Sequence, residues 1–182
     1  MATPTLRRAL WMGAAVLAAG VVIALAAHGR RADPGLVRFE AAGVMIEFPP
    51  ELITHVVVTR GERQWRFTRT NAQGWVSAPD TLPLGEDTAT RLESGLRFLH
   101  VSAPQRVMAR SELAGTPLAE FGLDPPRYSV SVQSSARGSF TIEFGAVNPQ
   151  GLAQYARVKG RNEILLLPSF VGEPWEAVIQ VR

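Results

Sequence analysis

Residues 9–27 read "ALWMGAAVLAAGVVIALAA", nineteen positions without a charged or strongly polar side chain, and no other feature limits the chain as much. A helix rises about 1.5 Å per residue, so such a run comes close to the roughly 30 Å of a bilayer's hydrocarbon core. It is long enough to cross once. Arg7 and Arg8 precede it, and Arg30 and Arg31 follow. Ala24-Leu25-Ala26 has the small-x-small form of a cleavage site, but the run exceeds the roughly 7 to 15 apolar residues of a signal peptide. An arginine pair closes it as well, which favours an uncleaved signal anchor. The expected layout is a cytoplasmic tail over residues 1–8, a transmembrane helix over 9–27, a tether over 28–50 and an exported domain over 51–182. Positive-inside counting is balanced by the two arginine pairs, and the short amino tail places the domain in the periplasm of a bacterial inner membrane.

Within the run, Ala9, Gly13, Gly20 and Ala24 recur at intervals of four and seven and share one helical face. In lipid, association rests on close packing, so small side chains there let a partner helix approach. An alanine-rich span without a partner shows the same spacing.

The sequence pI near 10.1 invites a nucleic-acid reading, but the charge is unevenly placed. Residues 1–32 hold four arginines and no acid, whereas 33–182 hold 15 Lys and Arg against 16 Asp and Glu. The basic excess flanks the apolar run and forms no groove for phosphates. There is no cysteine, which excludes disulfides, thiolate nucleophiles and Cys-ligated zinc.

Past the tether, which carries a candidate edge strand near residues 44–48, period-two alternation predicts strands at 53–59, 64–70 and 75–77, with turns at 60–62 and 71–74. Trp65 and Phe67 share a face and Arg66 and Thr68 the other. "LGEDTATRLESGLRFLH" predicts the main exported helix, capped by Asp87 or Thr88. Its stripe of Ala89, Leu92, Leu96 and Leu99 faces a sheet, Arg91, Glu93 and Arg97 face water, and Gly95 marks a close strand contact. A strand near 105–109, short helical turns in "SELAGTPLAEFGL", four further strands and a terminal helical turn docking Trp175 complete the chain. The fold class is α+β: antiparallel sheet regions with one main packed helix.

"RQWRFTRTNAQGW", "LAEFGLDPPRYSVSV", "IEFGAVNPQGLAQYARV" and "EILLLPSF", in that order over residues 52–170, resemble the bacterial domain family of unknown function DUF4340. Members of that family are extracytoplasmic α+β modules of membrane-anchored proteins, some of them auxiliary parts of gliding-type ABC transport systems. The resemblance implies attachment to a membrane assembly and brings no catalytic residues with it.

Glu120 and Asp124 are the one candidate acid/base pair. Four residues bring two carboxylates together only on a continuous helix, and Gly122 and Pro125 interrupt it. The scaffold reading fits better: Gly122 ends a short turn with positive φ, Leu123 enters the core, and Asp124 with two prolines leads into a strand. His28, His55 and His100 are scattered, without a second ligand at metal spacing, and no nucleotide or nucleophile motif is present. The loop "GAVNPQGLAQYAR" offers Asn148, Gln150, Gln154, Tyr155 and Arg157 as a partner surface, since Tyr and Arg are enriched at binding hot spots; a polar turn is the alternative. Arg60, Arg63, Arg66 and Arg69 read as solvated or as contacts for acidic headgroups.

The expectation is a non-catalytic accessory subunit without metal or cofactor. It binds and stabilises an integral membrane protein complex, with the bilayer as its second partner and neither nucleic acid nor a small-molecule substrate. The alternatives are an auxiliary component of an ABC-type exporter and, last, a glycan-acting enzyme using Glu120 and Asp124.

Overall fold

Alternating apolar and polar residues make strands wherever one face can be buried, and most of the nine strands among the described residues meet that condition; the two-residue β4 is exposed throughout. The computed structural model describes residues 18–21, 42–70, 74–79, 81–113 and 115–180. The chain divides into two units, Met1–Glu40 and Ala41–Arg182. Of the first, only residues 18–21 are described; they are helical and exposed. No helix among the described residues is long and apolar enough to cross a membrane. The apolar run lies outside those residues except for its centre.

In the second unit the strands are β1 (Ile53–Arg60), β2 (Arg63–Arg69), β3 (Trp75–Ala78), β4 (Leu82–Pro83), β5 (Arg106–Met108), β6 (Tyr128–Ser134), β7 (Gly138–Val147), β8 (Ala153–Val158) and β9 (Ile164–Pro168). They form one sheet in the order β4-β3-β2-β1-β6-β7-β8-β9-β5, and every neighbouring pair is antiparallel. The expected separate sheet regions are thus joined, because β1 pairs with β6 across the intervening helix.

Helix α1 (Glu86–Val101) and helix α2 (Ser169–Gln180) cover one face. Leu92, Leu96 and Leu99 are fully buried against Val56, Val130, Ile142, Phe144 and Leu167. Two helices pack where one was expected. The carboxyl-terminal segment contains Gly172 and Pro174, which ordinarily break helices, yet its tertiary contacts hold it helical. A Cβ at Gly172 would collide with the Gln154 side chain and lie 2.8 Å from the Tyr128 hydroxyl. Glycine is required there by packing. Gly95 likewise meets the Trp175 ring, at 2.6 Å from a built Cβ, so its close neighbour is α2 and not a strand.

Other expectations are corrected locally. The helix cap is Gly85, with no side-chain hydrogen bond from Asp87 or Thr88. Residues 44–47 are turns and not an edge strand, and Met45 is in the core. Glu93 is half-buried, bonded to Arg69 and to the Trp75 indole N–H, and does not simply face water.

Among the described residues the opposite face is covered at one end. There the 3-10 turns Arg110–Leu113 and Leu118–Phe121 lay Leu113, Leu118 and Phe121 over Met108, Leu123, Ile164 and Tyr155. Gly122 follows with φ of 64°, the left-handed conformation expected of it, and its N–H reaches the Ala119 carbonyl.

Candidate functional site

Strand period decides what the proposed 148–157 surface becomes. Tyr155 and Arg157 share a face of β8, whereas Gln154, the neighbour of Tyr155, turns to the helix side. There Gln154 is 2 % exposed, its Nε2 donating to the Gly145 carbonyl at 3.1 Å. The Tyr128 hydroxyl lies 3.2 Å from both Gln154 Oε1 and the Gly172 carbonyl. Burial, reinforced by the charge of Glu176, pushes the Tyr128 phenol well above its ordinary range, so it stays a neutral donor. Gln154 is therefore a core residue and leaves the candidate surface.

The remaining members are individually engaged. Asn148 Oδ1 accepts from the Leu152 and Ala153 N–H groups at 3.0 and 3.1 Å, and its Nδ2 donates to Gln150, which shapes the polar turn. Tyr155 meets Phe121 edge to face at 5.1 Å. Arg157 Nε donates to Glu143 at 2.9 Å. Gly20 lies in the short described helical stretch, while Ala9, Gly13 and Ala24 lie outside the described residues.

Glu120 and Asp124 are both exposed and separated by the left-handed Gly122, as the scaffold reading requires. Leu123 and Pro126 form an isolated bridge that feeds the chain into β6. His55 is exposed, and His100 Nδ1 lies 3.2 Å from the Met45 carbonyl. Among the described residues no cluster of His, Asp and Glu could hold a metal ion. Arg69 is structural: it donates to the Ile53 and Pro50 carbonyls at 2.9 and 3.1 Å, pairs with Glu93 at 2.7 Å and stacks 4.5 Å from the Trp75 ring centroid. Arg60, Arg63 and Arg66 are exposed.

Sequence reasoning missed a groove of about 310 Å³ between residues 42–48 and the β5 end of the sheet. It forms because helix α1 leaves carbonyls unsatisfied at its end and residues 42–46 supply donors. Met45 N–H takes the Leu99 carbonyl at 3.0 Å and Val44 N–H the Ser102 carbonyl at 3.3 Å, with Gly43 pressed on the His100 backbone too closely for any Cβ. Phe48 then stacks 5.5 Å from Phe140, while Ile46 and Val107 remain about half exposed at 49 % and 48 %. Glu47, Arg161 and Glu163 complete the rim. Among the described residues strand β5 has no neighbour on its outer side, and unlike β4 it carries no proline to block pairing. The groove can take an extended apolar segment of another polypeptide. No family model, no curated protein and no solved structure matches this chain.

Proposed function

We propose that the chain is a membrane-anchored accessory subunit, with residues 9–27 spanning a bacterial inner membrane and the domain binding and stabilising a larger membrane protein complex on the periplasmic side. The uncharged nineteen-residue run between arginine pairs carries the reading, because a segment of that length and composition is favourable only in hydrocarbon. The groove beside β5 supports it by offering half-exposed apolar side chains next to an unpaired strand edge. Kinship with the DUF4340 family belongs to the same proposal.

The native membrane solubilised in mild detergent is the test. The chain should migrate with larger proteins on a native gel, and Val107→Glu, which puts a charge into the groove, should release it. A species that migrates only as the free subunit would sink the reading.

A further inference from the structure

A second apolar surface lies on the outer side of the helix layer, away from the groove's floor. Phe98 of α1 and Phe170 of α2 meet edge to face at 5.4 Å, and Val101 follows Phe98 by about one helical turn. The Ser169 N–H donates to the Leu152 carbonyl at 3.1 Å, which brings the 148–152 turn beside Phe170. Val101, Leu152 and Phe170 are 60 %, 70 % and 45 % exposed, an unusual expenditure of large apolar side chains on one face of a small domain. The Arg97 guanidinium sits 5.9 Å from the Phe98 ring centroid, and Arg91 lines the cleft of about 390 Å³ between Phe98 and Phe170. Glu173 is the acid on the cleft rim.

We propose that this face docks on an anionic lipid surface, with Val101, Leu152 and Phe170 entering the headgroup region over the part-buried Phe98 and with Arg91 and Arg97 pairing with lipid phosphates. The inference rests on the membrane-anchor part of the proposed function. Two features favour lipid over a protein occupant. The apolar residues come from two helix ends and a turn and make protruding tips, whereas a partner helix would need a continuous groove. The amino-terminal edge of the domain also adjoins this face: Gly43 packs on the backbone of His100 and Val101. Residues 28–41, the fourteen between the apolar run and Ala42, reach about 50 Å at full extension. A bilayer anchor within that reach keeps the domain at high effective concentration near headgroups, so weak individual contacts suffice. Long Arg side chains beside exposed rings are the pattern that suits the charged boundary of a bilayer.

The absence of cysteine makes the test clean, because single cysteines can be placed in the full chain. Phe170→Cys and, at the exposed turn before β7, Arg137→Cys would each carry an environment-sensitive fluorophore. The chains are reconstituted into phosphatidylcholine vesicles with and without phosphatidylglycerol, and doxyl-labelled lipid is the quencher. The label at 170 should be quenched several-fold more than that at 137. The difference should shrink without phosphatidylglycerol and in an Arg91→Gln/Arg97→Gln background. Equal quenching at both positions, in a chain that resists alkaline extraction, overturns the docking face and leaves the anchor standing. A label at 170 shielded from water yet untouched by doxyl lipid overturns it in favour of a second copy of the chain. Release of the whole chain by alkali overturns the anchor and the docking face together.

Discussion

On the helix-bearing face of the sheet, Trp175, Phe144, Leu92, Leu96 and Leu99 are sealed from solvent, whereas on the opposite face Met108, Leu123 and Ile164 make a small cluster under two 3-10 turns. Beyond that cluster the second face carries cross-strand rows such as Thr59, Ser129 and Glu143, or Val57, Ser131 and Thr141, with no helix among the described residues laid over them. The difference follows from what each cover can bring. Helices α1 and α2 present stripes of large side chains along their length, while 3-10 turns present one or two residues each. The stability of the domain therefore resides on one face. The other face should tolerate change, and the proposed interaction surfaces sit at the margins, where cover ends.

The largest effect should come from Trp175→Ala. It removes the ring wedged against Gly95 at the centre of the helix layer and should cost about 3–5 kcal/mol in urea unfolding. Trp175→Phe should cost clearly less, since the indole N–H it removes has no hydrogen-bond partner among the described residues. If the two variants were equally destabilised, the layer would not depend on ring packing.

Tyr128→Phe tests the polar seam within the same face. It takes the donor from Gln154 Oε1 and the Gly172 carbonyl and should cost about 1–3 kcal/mol. The phenol's pKa is raised in the folded state, so the unfolded chain loses this proton first as pH rises. Wild-type stability should then be fully present below pH 10.0, the ordinary phenol value, and decline above it. Tyr128→Phe should lose that part of the decline; an unchanged alkaline slope would show that the phenol does not titrate on unfolding.

Phe121→Ala probes the thin cover on the other side. Phe121 is only half-buried, over Tyr155, and its removal should cost about 1–2 kcal/mol. A loss as large as that of Trp175→Ala would erase the distinction between the faces. Smallest of all should be Glu143→Gln, which removes the charge from the part-buried Arg157 pair but keeps an acceptor oxygen, and should cost about 1 kcal/mol, with salt screening only part of the effect.

The particular residues show where sequence reasoning reached and where it stopped. Leu92, Leu96 and Leu99 were legible as a buried stripe because helical period alone places them together. The left-handed Gly122 and the buried Leu123 were legible because a short turn between prolines leaves few backbone options. The polarity of Gln154 suggests a surface, and only the positions of Tyr128, 26 residues away, and of the Gly145 carbonyl on the neighbouring strand make its burial favourable. Residues 42–46 read locally as tether because nothing in that stretch reveals that the end of α1 needs their N–H groups.

By itself the sequence determined the apolar run, the α+β class, most strands and the scaffold role of "LAEFGLDPPRYSVSV", all of which follow from local period and backbone restriction. Only tertiary structure decided that the strands join into one sheet, that a segment with Gly172 and Pro174 becomes a helix, and that Val101, Leu152 and Phe170 are left exposed. Period tells which residues point the same way. What lies above them depends on contacts between distant segments, and those are not written in any local stretch.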